Sequence, residues 1–182
     1  MTKHIFRVPV DTVHFNDTVK TGKAYNELLP FLAFIEKAYL EKLAHDGPLR
    51  YWGSLPRVNN QKTFMRISEG DELLFYRSGK YVALATIAFS TRNPALARYS
   101  WGEAKNGTTW ELMYFFREVR LLSVDVGVIN SAFGFKNAPV VGFSVLSEQS
   151  ASQFIATYGS VTDFIKNLPG ANNNQDTLKK AA

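Results

Sequence analysis

The sequence predicts an α+β fold, a small mixed but mostly antiparallel β-barrel surrounded by helices. The segment EGDELLFYRSGKYVALATIAF indicates a β-hairpin, because two apolar strands flank a Ser-Gly turn. The strands and helices do not alternate as a doubly wound parallel sheet requires. The segment WELMYFFREVRLLSV is also too hydrophobic for a strand that exposes both faces.

Length and composition indicate one domain with one core. Of the 182 residues 46% are hydrophobic, and residues 1–169 are assigned to a single domain. The segment GANNNQDTLKKAA has little to bury, so residues 170–182 are expected to form a polar tail or a linker to a further domain. The net charge of +5 favours a polyanionic partner.

The absence of cysteine and of a long apolar segment indicates the compartment and excludes some partners. The chain contains no cysteine, which excludes disulfides and thiolate metal sites and indicates a reducing compartment, the cytoplasm. No segment approaches the roughly 20 apolar residues that a membrane-spanning helix needs. A membrane partner is therefore not expected.

The first part of the chain predicts a strand and a long helix. HIFRVPVD reads as a strand in which Pro9 requires an edge position. Apolar residues at helical spacing follow from Ala24 to Leu43, with Pro30 in the first turn and the helix start near Leu29. The apolar face of this helix is expected to pack against a sheet.

The middle of the chain carries the hairpin. A short strand at residues 49–54 and a short helix at 60–67, with Phe64 turned inward, precede it. The hairpin strands are expected at 72–76 and 81–89.

The last part predicts helices and two more strands. Asn93 and Pro94 begin a helix, which a polar loop containing Trp101 follows. Strands are expected at 110–124 and 139–147. Two short helices divided at Gly159 come next, the second with a capping-box start.

Catalytic motifs are absent, which favours a binding domain over an enzyme. Neither the phosphate-binding patterns GxxxxGK[ST] and GxGxxG nor the nucleophile elbow GxSxG occurs. His4, His14 and His45 lack metal-ligand spacing and are assigned to the surface or to helix caps. Asp71 and Glu72 are assigned to a solvated hairpin entrance. We therefore expect no catalytic residue, metal or cofactor.

The stretch YWGSLPRVNNQ and the following hairpin resemble two related families. Trp52, Ser54, Pro56, Arg57 and Asn59 resemble the Trp-containing strand end and the helix-opening Asn of YTH domains. LLFYRSGKYVALATI is similar to the YTH hairpin without gaps. In EVE domains a Gly-Asp pair and an FYxS sequence correspond to Gly-Asp and FYRS here.

The resemblance continues over about residues 49–158. Trp101 resembles the second, loop-borne Trp of YTH domains, and WELMYFFREV resembles the strand after it. VVGFSVLSEQSASQFIATY is similar to the closing strand and the C-terminal helix. Both families are PUA-like, so the resemblance implies a PUA-like barrel.

For the site, the resemblance implies a pocket that clamps one modified base between tryptophan faces. Stacking on an aromatic ring is worth about 1–3 kcal/mol per base. Trp52 corresponds to the first tryptophan of this cage, with the small Gly53 and Ser54 leaving space for the base, and Trp101 to the second. Simple core packing is the alternative for each ring.

Five further candidates complete the implied base-binding set. Trp110 either begins a strand in the core or joins the cage, and Ser54 either contacts the base edge or serves as a turn serine. Asn59 or Asn60 either reads the base or caps the next helix. Tyr76, from the FYRS match, is also included.

Phosphate contacts require cations near the pocket. Seven lie on segments predicted to flank it: Arg57, Lys62, Arg66, Arg77, Arg92, Arg98 and Lys105. Each could instead be an ordinary solvated surface charge.

The resemblance suggests a reader of modified bases that resembles the N-terminal domains of McrB-type restriction proteins. Such domains flip a methylated base out of duplex DNA, and the YTH-like spacing favours N6-methyladenine. A GTPase domain of the AAA+ type and a nuclease subunit would be its partners. A PUA-like domain that binds RNA and a protein-interaction module are the alternatives.

Overall fold

The computed structural model describes residues 3–136 and 139–169, and the predicted tail at 170–182 lies outside them. The strands are β1 (Ile5–Pro9), β2 (Arg50–Ser54), β3 (Glu72–Arg77), β4 (Lys80–Arg92), β5 (Leu112–Asp125) and β6 (Ser144–Val145). The α-helices are α1 (Thr12–His14), α2 (Tyr25–Leu28), α3 (Phe34–Ala44), α4 (Val58–Phe64), α5 (Pro94–Trp101), α6 (Val126–Ala132), α7 (Glu148–Tyr158) and α8 (Val161–Lys166).

The strands form one sheet in the order β2-β5-β4-β3-β1-β6. Only β1 and β3 run parallel, and the other pairs in the sheet are antiparallel. The prediction of a mixed, mostly antiparallel sheet with helices around it is confirmed. The hairpin of β3 and β4 is also confirmed, and Ser78 and Gly79 at its turn have φ of 48° and 80°, as a two-residue type I′ turn requires.

The sheet is strongly curled into a half-barrel. Trp52 on β2 and Phe75 on β3 have ring centroids only 6.3 Å apart, although β5 and β4 lie between these strands. In a flat sheet three strand spacings would separate them by about 14 Å. The curl therefore encloses a core on the concave face, to which both rings belong.

The convex face of the sheet is covered by helices at both ends. Alternation along β3 illustrates the two faces, since Leu73 and Phe75 join the concave core while Leu74 packs outward. Helices α6, α7 and α8 cover the outward residues of β3 and β4. Helices α2, α3 and α5 cover those of β2 and β5.

The prediction that Pro9 places its strand at the edge of the sheet is wrong. Pro9 itself nevertheless lies where its backbone nitrogen faces no paired residue. Strand β1 lies between β3 and β6. Val10 donates to the Tyr76 carbonyl at 3.0 Å, so Pro9 faces the other neighbour, β6, which pairs only with Phe6 and Arg7. Its missing N–H therefore removes no bond of the sheet.

The long helix predicted from Ala24 to Leu43 is interrupted. Helix α2 ends in a 3₁₀ turn, Leu29–Phe31, that contains Pro30, and Leu32 is extended. Helix α3 then begins anew, because the Glu36 carboxylate accepts from the Ala33 backbone N–H at 2.7 Å.

The apolar face predicted for this helix is confirmed only in part for α3: Leu40 and Leu43 pack against the core of the sheet, whereas Ile35 and Tyr39 are exposed. Phe34 is 88% exposed and Ile35 is exposed as well, whereas Glu36 and Leu40 are buried. The carboxylate of Glu36 is buried because it accepts hydrogen bonds from Thr91 and Asn93. Polar pairing has replaced apolar packing at this contact.

Several boundaries differ from the predicted ones. Helix α4 begins at Val58, two residues early, and Phe64 packs inward as predicted. The predicted strand at 139–147 shortens to Ser144–Val145. A seven-residue π-helix, Phe15–Thr21, follows α1 and packs against β2, and nothing in the periodicity predicted it.

Asp71 and Glu72 are buried, so their assignment to a solvated turn is wrong. Asp71 accepts from the backbone N–H groups of His4 at 2.8 Å and Ser68 at 2.7 Å. Glu72 accepts from the N–H groups at the start of α8. Each carboxylate accepts from at least one backbone N–H of a distant segment, and such hydrogen bonds are how buried charges are tolerated.

Candidate functional site

A cleft of about 110 Å³ lies beside β2, at the edge of the sheet. The chain has three tryptophans, and all of them line it. The full lining consists of Asp11, His14, Trp52, Gly53, Trp101 and Trp110. The structure thus brings together the three rings proposed from the sequence.

Each tryptophan reaches the cleft from a different element. Trp52 projects from β2 into the concave core and is only 7% exposed, with its ring edge-on to Phe75. Trp101 is the last residue of α5, and not part of a loop as predicted, because Gly102 with φ of 72° ends the helix after it. Trp110 lies two residues before β5 and is half-buried.

Gly53 does not leave space for a base, contrary to the prediction. A Cβ at this position would lie 2.5 Å from Cζ3 of Trp101 and 2.2 Å from the Trp110 carbonyl oxygen. The missing side chain therefore lets two tryptophans close on β2.

Trp52 and Trp101 do not form the implied clamp in this arrangement. Their ring centroids are 5.8 Å apart and their planes are inclined by 58°. A base stacked between two parallel rings needs about 7 Å, twice the van der Waals separation. The two indoles instead form one continuous aromatic wall of the cleft.

The remaining wall includes a pair that the sequence did not single out as functional. Asp11 caps α1 and accepts from His14 twice, from the backbone N–H at 2.9 Å and at Nδ1 at 2.8 Å. Burial alone raises the pKa of Asp11, but these hydrogen bonds outweigh it and hold the pKa below its ordinary value. The His14 ring is 6.4 Å from that of Trp110. An Asp three residues before a His, directly after a strand, was the signal available in the sequence.

One polar atom of the cleft tryptophans is unsatisfied. The indole nitrogen Nε1 of Trp101 is buried and has no hydrogen-bond partner within the described ranges. A buried donor without an acceptor costs about 1–3 kcal/mol. This cost indicates that packing of the Trp101 ring on Gly53 outweighs the loss of a hydrogen bond.

Ser54 and Tyr76 lie away from the cleft. The Ser54 hydroxyl is buried and pairs with the Tyr114 hydroxyl at 3.0 Å. Tyr76 packs against Tyr81 on the convex side, where its hydroxyl accepts from the Gly79 N–H. Their side chains are therefore committed to the fold and do not line the cleft.

Asn59 and Asn60 also do not line the cleft, and neither caps α4. The capping position is Arg57, so both asparagines fall within the first turn of the helix. The Asn60 amide donates to the Leu55 carbonyl at 2.9 Å, which fixes the loop after β2. Asn59 is exposed.

Four of the seven predicted phosphate-binding cations are occupied within the protein. Salt bridges join three of them to carboxylates: Arg66 to Glu148 at 3.6 Å, Arg92 to Glu111 at 2.5 Å, and Arg98 to Glu103. Arg77 donates to the Thr12 hydroxyl and lies over the Phe15 ring. These pairings reduce the charge available to a polyanion.

The other three cations are exposed. Arg57, Lys62 and Lys105 make no salt bridge with any residue in the ranges 3–136 and 139–169. Arg57 and Lys105 both line a groove of about 390 Å³, formed by residues 55–57, 104–106 and 108. These segments begin two residues after Gly53 and three residues after Trp101, which both line the cleft.

The described ranges hold neither a cluster of metal ligands nor a membrane-spanning helix. No group of three or more His, Asp or Glu side chains is placed to hold a metal ion there. No helix in those ranges is long and apolar enough to span a membrane.

Comparison with known proteins gives a structural relative. No protein-family model and no curated protein sequence matches the chain. The structure is similar to the N-terminal domain of Thermococcus gammatolerans McrB, solved bound to m5C DNA. The TM-score is 0.61 at 18% sequence identity, and the match covers 91% of this chain and 98% of that one. The chain therefore shares the fold of that domain, a curled half-barrel sheet with helices around it.

Proposed function

We propose that this domain binds duplex DNA and recognises a modified base that is flipped out of the helix into the tryptophan cleft. The observation that carries the proposal is the convergence of Trp52, Trp101 and Trp110 on one cleft. The relative of the same fold was solved bound to m5C DNA, which supports a DNA ligand.

The partial exposure of the Trp101 and Trp110 rings favours a role in ligand binding over a purely structural role. A purely structural cluster would enclose its indoles, but Trp101 and Trp110 are only half-buried and face the cleft. Stacking contributes about 1–3 kcal/mol per base, and unstacking a base costs a few kcal/mol. Contacts to several rings can therefore offset most of the cost of flipping.

The size of the cleft fits a small flat group. Pockets for drug-sized ligands usually measure about 300–1,000 Å³, which is well above the volume of this cleft. A base can enter with its ring against the aromatic wall while its sugar and phosphate stay outside. Flanking phosphates would then lie near the groove that Arg57 and Lys105 line.

Two modified bases are candidates. N6-methyladenine is the first, because the order of the Trp, Asn and hairpin motifs resembles that of YTH domains. The second is 5-methylcytosine, because of the DNA bound to the structural relative. Both present a flat aromatic face and a methyl group.

The wider role that we propose is the targeting of a modification-dependent restriction complex in the cytoplasm. In that complex a GTPase domain of the AAA+ type and a nuclease subunit would supply the enzymatic steps. The domain itself would contribute binding alone.

The test is a titration of matched duplexes at one fixed salt concentration. They differ at a single position, which carries adenine, N6-methyladenine, cytosine or 5-methylcytosine. We expect one methylated duplex to bind at least tenfold more tightly than its unmodified partner, and Trp110→Ala to abolish the preference. Equal binding of all duplexes that weakens in parallel with salt would contradict the proposal. Tighter binding of methylated single-stranded RNA would instead support the RNA alternative.

A further inference from the structure

We propose that His14, held in place by Asp11, identifies the flipped base by accepting a hydrogen bond from its exocyclic amino group. This inference rests on the proposed function, since it requires a base in the tryptophan cleft. It assigns a chemical class to the ligand, namely a base that carries an amino group.

The hydrogen bonds of Asp11 fix the His14 ring and its tautomer. One carboxylate oxygen accepts from the His14 backbone N–H at 2.9 Å, and the other lies 2.8 Å from Nδ1. An ionised carboxylate can only accept, so the proton of the neutral imidazole is assigned to Nδ1. The other ring nitrogen, Nε2, is then an acceptor.

This acceptor is available to a ligand. Nε2 of His14 has no hydrogen-bond partner within the described ranges, and the side chain is 38% exposed. Of the cleft side chains, the three tryptophans offer only indole N–H donors, and each carboxylate oxygen of Asp11 already accepts one hydrogen bond from His14. Nε2 of His14 is therefore the side-chain acceptor of the cleft that makes no hydrogen bond within the described ranges.

An acceptor here provides a distinction that stacking cannot. Thymine and 5-methylcytosine carry the same methyl group and similar faces, but thymine has a carbonyl oxygen where cytosine has an amino group. Indole rings would hold both nearly equally well. The imidazole acceptor can bind the amino N–H of 5-methylcytosine. When thymine enters, the same acceptor faces a lone pair of the thymine carbonyl oxygen and no hydrogen bond forms. A cleft with His14 therefore rejects thymine.

The experiment uses two duplexes that differ at one position opposite guanine, 5-methylcytosine in one and thymine in the other. Should the wild-type chain prefer methyladenine, the pair is N6-methyladenine and N6,N6-dimethyladenine, which lacks the N–H. We expect the wild type to prefer the base with the N–H by about tenfold or more. His14→Phe keeps a ring but no acceptor, and it should lower this preference to one or below, because a thymine mismatched with guanine is flipped more easily than a paired 5-methylcytosine.

Asp11→Asn separates base reading from helix capping. Asn caps helices as well as Asp does, so α1 should persist. Its amide can donate to Nδ1, which moves the proton of His14 to Nε2 and makes that nitrogen a donor. The preference of this variant should therefore fall below that of the wild type and shift towards thymine. Urea unfolding of each variant checks the fold, and His14→Gln, with its own carbonyl acceptor, should restore part of the preference.

Two results would overturn the inference, and they are distinguishable. If the wild type does not prefer a methylated duplex over its unmodified partner, the proposed function fails and this inference fails with it. If the wild type prefers the methylated duplex but His14→Phe and Asp11→Asn keep the wild-type ratio of 5-methylcytosine to thymine binding, His14 only donates to the Asp11 cap of α1 and does not read the base.

Discussion

The Trp101 ring lies directly against the backbone of Gly53, where a Cβ would come within 2.5 Å of it. Gly53 has no positive φ, so its backbone does not require glycine. What requires glycine is the approach of Trp101 on one side and of the Trp110 carbonyl on the other. A single missing side chain thus brings two walls of the cleft together.

Gly53→Ala should close or distort the cleft. Overpacking costs typically about 1–3 kcal/mol, and a contact with backbone oxygen belongs at the upper end or above. We expect a loss of about 3 kcal/mol in the free energy of unfolding, measured in urea, and loss of modified-base binding. Gly70→Ala is the control, because Gly70 has φ of 89° but open space around it. It should cost about 1–2 kcal/mol of backbone strain and leave binding intact. A Gly53→Ala protein with wild-type stability and binding would contradict the packing described here.

Trp52 and Trp110 should respond differently to truncation. Trp52 is buried in the concave core, so Trp52→Ala should cost about 3–5 kcal/mol of stability. Trp110 is half-buried, and Trp110→Ala should cost less stability while removing the preference for a modified base. Thermal unfolding and duplex titration of both variants measure the two effects. Equal stability losses would show that Trp110 is as much part of the core as Trp52.

Arg57 and Lys105 should contribute affinity without sequence preference. Replacing either by Gln should weaken binding to every duplex by a similar factor, because phosphate contacts carry no base information. The slope of log affinity against log salt should fall by about one for each cation. Arg98→Gln is the matched control. Arg98 is paired with Glu103, so its replacement should change the salt slope little. A larger effect at Arg98 would place the DNA on a different face.

Glu72 should hold α8 against the sheet. Its carboxylate accepts from the Val161 N–H at 2.9 Å and from the N–H and hydroxyl of Thr162. Glu72→Ala should lose about 1–3 kcal/mol and speed hydrogen exchange in α8, because buried donors lose their acceptor. Glu69→Ala removes only an exposed partner of Arg117 and should cost at most about 1 kcal/mol. Slow exchange in α8 of Glu72→Ala would argue against this role.

Two buried tyrosines should make the fold sensitive to high pH. Burial raises the pKa of Tyr51 and of Tyr114 well above the ordinary value. Above about pH 10 the unfolded chain loses these protons while the folded chain keeps them, so stability falls as pH rises. Each tyrosine should add about 1.4 kcal/mol per pH unit to this slope.

Tyr114→Phe tests the sign and the source of this slope. The variant should lose some stability at every pH, because the Ser54 hydroxyl loses its partner. The free energy of unfolding, measured in urea, should nevertheless decline less steeply between pH 10 and 11.5 in this variant than in the wild type. Between pH 7 and 9 the difference between the two proteins should stay constant. A parallel decline above pH 10 would mean that Tyr114 does not contribute.

The sequence by itself determined the features that depend on local chemistry. Ser78 and Gly79 determine the hairpin turn because a type I′ turn needs two residues that accept positive φ. Asn93 and Pro94 begin α5 because they provide a cap and a preset φ. The order of strands and helices predicted the mixed, mostly antiparallel sheet, and the resemblance to YTH domains implied the tryptophans of the site.

Tertiary structure alone decided which of these residues meet. Asp71 and Glu72 look solvated in sequence, and only the approach of His4 and of α8 makes their burial favourable. His14 likewise becomes a cleft residue because α1 packs beside β2 and Trp110. The physical reason is common to both cases: local pattern reports the neighbours of a residue along the chain, whereas desolvation and hydrogen bonding depend on segments that folding brings from far away.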